Sequence, residues 1–193
     1  MKFFFFVLLL ISLLGCSTPK LLNDSFYLEN KEVNLFAFIG QKISIVEFNP
    51  NDEKVEEKFY DSISGETITK KSYIMDLGFR CRYKIVKNVF NDPKVDTIDF
   101  VAYDHYGKPR FSEYDTVLLY VSKSKNGSYY FHQKYQFDYL EQNSNGIFYG
   151  YQYDRVERKK KTIFKNKRIA SIENLFVEKK EEVFKSLFKE NGN

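Results

Sequence analysis

Phe79-Arg80-Cys81-Arg82-Tyr83-Lys84-Ile85-Val86 changes side-chain character at nearly every step. Phe79, Cys81, Tyr83 and Ile85 fall on one side of an extended chain, and Arg80, Arg82 and Lys84 on the other. That two-residue period belongs to a strand with one face in a core and one in water. A helix would scatter the same residues around its axis. The chain is therefore read as sheet here, and its 20 Phe, 15 Tyr and only four Pro agree with that reading.

Residues 35–48 (LFAFIGQKISIVEF) form a second apolar, β-branched run. Gly40 lies inside it as a bulge or sharp bend, and Asn49-Pro50-Asn51-Asp52 ends it. Around 55–60 both a strand and a helical turn remain open, and Ser64-Gly65 marks a turn. Asn91-Asp92-Pro93 closes the 79–86 strand, and residues 95–103 (VDTIDFVAY) begin the next. A loop at 104–115 leads into a short, strongly apolar strand at 116–122 (TVLLYVS). Asn126-Gly127 between two strand-like runs signals a hairpin, because both residues tolerate positive φ. The return strand, 128–139, sets Tyr129, Phe131, Tyr135, Phe137 and Tyr139 on one face. These rings and those up to Tyr153 are read chiefly as cross-strand aromatic pairs, with a ligand groove as the alternative. Asn143-Ser144-Asn145-Gly146 turns into a run at 147–153. Ser171 is placed to cap a helix reaching about Glu190. Ile172, Leu175, Phe176, Val183, Phe184, Leu187 and Phe188 recur at three, four and seven to give it one apolar stripe. The expected body is mainly β: a single antiparallel barrel carrying a C-terminal amphipathic helix, about 171–190.

The first residues say where such a body would live. Lys2 is followed by an apolar run, 3–14, broken only by Ser12, and then by Gly15 and Cys16. This is the layout of a secretory signal, and twelve residues fall short of the roughly 20 that a spanning helix needs. Leu13-Leu14-Gly15-Cys16 resembles the lipobox of bacterial lipoproteins, with Leu14 a less usual residue in its slot. The resemblance implies cleavage before Cys16, a diacylglycerol thioether on its sulfur and an acylated amine; the plainer reading is a signal peptide with a chance cysteine. One acyl chain holds a protein only marginally, and two or three make attachment effectively permanent. Ser17, not Asp, follows Cys16, which in a two-membrane envelope implies the outer rather than the inner membrane. The boundaries read as 1–15 signal peptide, 16–34 lipidated cysteine and polar tether, and 35–193 the folded domain.

Removing the first 15 of 193 residues leaves 178, the size of one ordinary domain. The net charge of +4 falls to +3 with Lys2, so no strong overall field implies a nucleic-acid partner. Of two cysteines, only Cys81 remains once Cys16 is lipidated. An exported domain with one cysteine cannot be stapled internally and must be held by its core.

The order of FAFIGQKISIVEF, FRCRYKIVKNVFND, TIDFVAY and VLLYVSKSKNGSYY, over residues 35–131, resembles the netrin-module or tissue-inhibitor type of OB-like barrel. Gly40-Gln41-Lys42 stands at that family's first-strand glycine motif, and residues 86–91 stand in for its second. The resemblance implies an OB-like barrel. It does not carry the inhibitory mechanism, because that depends on several disulfides and on the free amine of an N-terminal cysteine. This chain lacks the disulfides, and lipidation would consume the amine of Cys16.

Catalytic chemistry is sparse. His105 lies in an Asp104-His105-Tyr106-Gly107 loop near Asp99 and Asp115, which invites a metal-dependent or acid–base hydrolase using Asp104 and His105. A catalytic zinc usually needs three protein ligands at close spacing, and nothing in the sequence brings His132, expected on the polar side of its strand, to His105. The simpler reading is a loop histidine bonded to its own turn. No Gly-x-Ser-x-Gly elbow, phosphate-binding glycine loop or His-Glu-x-x-His stretch occurs. Cys81 shares a face with Phe79 and Tyr83, so it reads as a small core residue rather than a nucleophile. No metal, cofactor or catalytic residue is expected.

Residues 155–168 (RVERKKKTIFKNKR) carry eight basic residues against one Glu: Arg155, Arg158, Lys159, Lys160, Lys161, Lys165, Lys167 and Arg168. In a cytosolic barrel these, with exposed rings, would suggest single-stranded nucleic acid; export argues against it. In an anchored protein they suit anionic lipid head groups, and equally an edge strand guarded by lysines. The sequence thus leads to an expected lipid-anchored lipoprotein of the bacterial cell envelope. It would act as a non-enzymatic binding or scaffolding module, held to the bilayer by acylated Cys16 and able to engage an envelope protein or peptide.

Overall fold

Val117, Leu118, Leu119, Tyr120 and Val121 are all fully buried, which one half-solvated sheet face cannot achieve. They belong to a strand that serves two cores at once, and the rest of the molecule is arranged around it. The computed structural model describes residues 25–190 apart from 53–56, 71–72 and 159–160. The signal segment, Cys16, and Lys159 and Lys160 lie outside the described residues.

Ten strands and one long helix are described: β1 (Phe36–Phe48), β2 (Glu57–Tyr60), β3 (Thr67–Lys70), β4 (Leu77–Phe90), β5 (Thr97–Asp104), β6 (Thr116–Lys123), β7 (Tyr130–Tyr139), β8 (Glu141–Gln142), β9 (Phe148–Arg158), β10 (Lys161–Ser171) and α1 (Ile172–Glu190). The fold is mainly β. Five strands make a mixed sheet whose pairing order, β1–β4–β5–β7–β6, returns to β1 and closes the sheet on itself. The expectation of a purely antiparallel barrel is corrected. β5 and β7 pair in parallel, Phe100 with Tyr130 and Val101 with Phe131. The reason is parity: strands alternating in direction cannot close a ring of five, so one neighbouring pair must run the same way. The ring is also not the whole body. β8, β9 and β10 form a separate three-stranded sheet, and β2 with β3 a separate hairpin between β1 and β4.

The inside of the ring is filled from every strand. Phe38, Phe79, Cys81, Tyr83, Phe100, Val117, Leu119 and Val121 form one buried cluster, joined by Phe111 from a 3-10 turn, Arg110–Glu113. The expected alternation of β4 is borne out, since Phe79, Cys81 and Tyr83 are buried while Arg80, Arg82 and Lys84 are exposed. The β1–β4 register slips beside Gly40, Ile39 pairing with Lys87 and Gly40 with Ile85, so the extra residue is Val86 of β4 and the bulge lies opposite Gly40 rather than at it. A Cβ on Gly40 would lie 3.0 Å from the Phe38 ring and 3.1 Å from that of Tyr83.

The second core lies outside the ring. Leu118 and Tyr120 of β6 meet Ile172, Leu175, Phe176 and Val183 of α1, with Ala37, Ile39 and Phe90. Phe176 stacks on Phe90 at 5.2 Å and on Tyr120 at 6.3 Å. The Ser171 hydroxyl accepts a bond from the Asn174 backbone N–H at 3.2 Å, so the expected cap is in place. Of Leu187 and Phe188 only the backbone is described.

The segment before β1 is docked rather than free. Leu28 bridges Phe90, Phe26 packs beside Phe176, and the Asn91 side chain clamps the approach. Asn91 Nδ2 donates to the carbonyls of Asn30, Val33 and Leu35, and its Oδ1 accepts from Asn30 N–H at 2.8 Å. The later part of the expected 16–34 tether is therefore packed on the body, from Phe26 onward.

Gly150 of β9 has no room for a side chain: a Cβ would meet Leu175 Cδ1 at 2.8 Å and the Tyr139 carbonyl at 3.1 Å. Gly150→Ala is expected to cost about 1–3 kcal/mol by overpacking, and Phe176→Ala about 3–5 kcal/mol by emptying the helix-side core. Urea unfolding of the full chain checks both; a cost below about 1 kcal/mol for Phe176→Ala would contradict the packing.

Candidate functional site

Where α1 and β9 cross the lower part of β7, the elements leave a cleft of about 400 Å³. Tyr114, Tyr139, Tyr151 and Tyr153 wall it, with Glu178, Lys179 and Glu182 from the helix. Tyr139 ends β7, Tyr151 and Tyr153 alternate along β9, and Tyr114 follows the 3-10 turn, so four rings from three chain segments converge. Tyr114 and Tyr139 stack at 4.9 Å with planes 16° apart, and Tyr139 lies 5.6 Å from Tyr151. The hydroxyls of Tyr139 and Tyr153 are 3.4 Å apart. Both Tyr149 and Tyr151 donate to Glu141 Oε2, at 2.9 and 2.8 Å. These bonds hold the Tyr151 phenol well above its usual range and the Glu141 carboxyl below its own.

The helix side of the cleft is fixed by charge. Lys179 Nζ sits 2.8 Å from Asp138 Oδ1 and also donates to the Phe137 carbonyl. Burial pushes the Asp138 carboxyl up, with Lys179 pulling against it. Both side chains are mostly shielded, so removing one partner would strand the other. Gln152 Nε2 donates to Glu178 Oε2 at 2.7 Å and to the Asn174 carbonyl at 3.2 Å, tying β9 to the first turns of α1.

A neighbouring cavity of about 370 Å³ shares Arg110 and Phe137 with the cleft. It is lined by Tyr103, Asp104, Lys108, Phe111 and His132 among others. His132, expected on the polar side of its strand, is corrected to a buried residue. Its ring lies 4.6 Å from Phe111 and 6.3 Å from Phe100. The reason is a slip within β7: Leu119 pairs with Phe137 and Val121 with His132, so two steps along β6 face five along β7. The odd difference reverses the phase, and Tyr135 takes up the excess at φ +65. Tyr129, Phe131, Tyr135, Phe137 and Tyr139 therefore do not share one face. His132 Nε2 donates to the Gln136 carbonyl at 2.9 Å, which closes that loop.

His105 does not line this cavity. Its Nδ1 lies 3.4 Å from Asp76 Oδ1, and Asp76 Oδ2 takes Lys134 Nζ at 2.6 Å. Asp104 instead accepts the Tyr106 backbone N–H at 2.9 Å, bonding within its own turn. Asp99 is engaged by Arg82 at 2.8 Å and Asp115 by Lys42 at 3.2 Å. Among the described residues no group of three or more His, Cys, Asp or Glu is placed to hold a metal ion. Cys81 is buried in the ring, and desolvation pushes its thiol up to about 12.

Of the basic segment, Lys167 is the residue with a described contact of consequence. Its Nζ lies 3.4 Å from the centre of the Tyr151 ring and 5.7 Å from that of Tyr139, so it belongs to the cleft's surroundings. The segment forms the far half of the β9–β10 hairpin, and β10 is its sheet's edge. For Arg155, Arg158, Lys161 and Lys165 the backbone alone is described, and Arg168 has a partner of its own. No helix among the described residues is long and apolar enough to cross a membrane.

Comparison with protein-family models, with curated proteins and with solved structures finds no match for this chain. The cleft therefore stands on its own geometry. Sequence reasoning placed Tyr139, Tyr151 and Tyr153 in a possible groove but missed Tyr114, Asp138, Lys179 and Glu178. Their convergence depends on where α1 docks, for which the local sequence carries no signal.

Burial moves the His132 imidazole from an ordinary 6.5 down to about 4. Folded His132 therefore binds fewer protons than unfolded His132, and its contribution is complete above pH 6.5 and lost as pH falls toward 4. About 3 kcal/mol of stability is expected to disappear across that window. His132→Gln, which keeps a donor for the Gln136 carbonyl, should flatten the profile between pH 6.5 and 4 in urea titrations. An unchanged slope would contradict the burial.

Proposed function

We propose that this chain is a lipid-anchored lipoprotein of the bacterial cell envelope and acts as a non-enzymatic binding module. Its tyrosine-walled cleft is the site offered to an envelope protein or peptide. The cleft is the observation that carries the reading. It gathers rings and charges from β7, β9, α1 and the 3-10 turn, and an aromatic concavity with a few fixed polar groups is the usual form of a binding site. The Leu13–Leu14–Gly15–Cys16 pattern supports the anchor, with Ser17 favouring the outer membrane where there are two.

An OB-like barrel is the proposed form of the five-stranded ring. The reading draws support from a first strand that pairs with both β4 and β6, and from closure through the parallel β5–β7 pair. The basic hairpin, from Arg155 to Arg168, is proposed to face anionic head groups through the residues other than Lys167, which the cleft tyrosines engage. No nucleic acid and no cofactor enter this reading.

The test uses the full chain in its host's membranes. The photo-crosslinker p-benzoylphenylalanine at Tyr153, 40% exposed at the cleft, is expected to give one discrete adduct in the membrane fraction. The same group at Ile63, in the β2–β3 turn outside the cleft lining, should give none. Cys16→Ser should release the chain from the membrane fraction and abolish the adduct. Equal adducts at both positions, or a Cys16→Ser chain still in the membrane fraction, would contradict the reading.

A further inference from the structure

The parallel seam of the ring is short. Two residue pairs join β5 to β7, Phe100 with Tyr130 and Val101 with Phe131, and the excess residues of β7 follow at once. The cavity of about 370 Å³ lies past that seam, between Ala102 and Asp104 of β5 and His132 and Phe137 of β7, with Pro109 and Phe111 beside them. His132 lines it and is 9% exposed. The Nε2–H of this ring donates to the Gln136 carbonyl, so the lone pair of the neutral imidazole is on Nδ1. Among the described residues no donor is placed on Nδ1. A buried acceptor without a donor is costly, and a ligand that supplies one removes the penalty. The charges in the lining do not select an ion, because Lys108 and Arg110 stand against Asp104 and Glu113.

We propose that this cavity binds a neutral aromatic molecule carrying one N–H or O–H group, which donates to His132 Nδ1 while its ring lies among Ala102, Pro109, Phe111 and Phe137. The site neighbours the cleft, sharing Arg110 and Phe137 with it, but does not rest on the cleft's reading. At about 370 Å³ it suits one or two fused rings. Phenols and indoles share this chemistry. Discrimination is set by the donor: an isostere with oxygen or fluorine in its place would turn a second acceptor toward Nδ1 and leave both unsatisfied.

Equilibrium dialysis of the full chain in detergent, against protein-free micelles, tests this with two matched pairs: indole with benzofuran, and phenol with fluorobenzene. In at least one pair the donor is expected to bind about fivefold more tightly than its isostere. Whichever donor binds more tightly identifies the ring size. The chain has only two histidines, so nitrogen-15 spectra separate their ring signals readily. The bound donor should shift the unprotonated nitrogen of His132 upfield and leave His105 unmoved. His132→Phe should bring donor and isostere to within about twofold of each other. Where that variant does not fold, the paired affinities and the nitrogen shift of the native chain decide the matter. Failure to bind either donor, equal affinity within both pairs, or a donor that binds without moving the His132 nitrogen would overturn the inference. So would tighter binding of benzoate or benzylammonium than of either donor. All of these results would leave the cleft's reading as it stands.

Discussion

β6 is buried on both faces, and most of the architecture follows from that. Its odd-numbered residues Val117, Leu119 and Val121 fill the ring, while Leu118 and Tyr120 meet α1 on the outside. A strand with no face left for water cannot stay on the surface of a small barrel. It must be covered, and the amphipathic helix that follows β10 does the covering with Phe176, Leu175 and Val183. The helix is therefore part of the core rather than an attachment. Deleting it would expose Tyr120, Leu118 and Phe90 together, a contiguous apolar surface of the kind that drives association.

The cleft is a by-product of that covering. α1 and β9 cross the outside of the ring, and where they diverge from β7 they leave a gap between rings and charges. The Asp138–Lys179 pair holds the helix against β7, and Gln152 ties it to β9. Gly150 lets β9 approach Leu175 closely enough for Tyr151 and Tyr153 to reach Tyr139. Fold and site are thus one problem: the contacts that set helix position also set cleft width. A ligand would meet a cleft already organised by packing, and little ordering cost would be left to the binding step.

Much of this was legible where one face of an element meets water. The 79–86 alternation, the apolar stripe of the helix, its Ser171 cap and the glycine turns at 65, 127 and 146 all emerge from local periodicity and φ preference. The even burial of 117–121 was visible as an apolar run, although a run alone does not say which partner covers which face. The β7 slip was hidden, because the residue at positive φ is Tyr135 and not a glycine that would have marked it. His132 was misplaced for the same reason. The docked approach segment was hidden too, since Asn91 binds it through backbone carbonyls that any sequence supplies. Of the site, the tyrosine rows of β7 and β9 were readable, whereas Tyr114 and the helix charges join them only through tertiary approach.

The central claim is that barrel and helix share one core through β6 and open as one unit. Native-state amide hydrogen exchange on the full chain measures this directly. The account predicts that amides of β6 and of the first three turns of α1 exchange through openings equal in free energy to within about 1 kcal/mol, both near the global value. Helix amides that exchange through an opening several kcal/mol cheaper than that of β6 would contradict it, and the cleft would then lack a fixed wall.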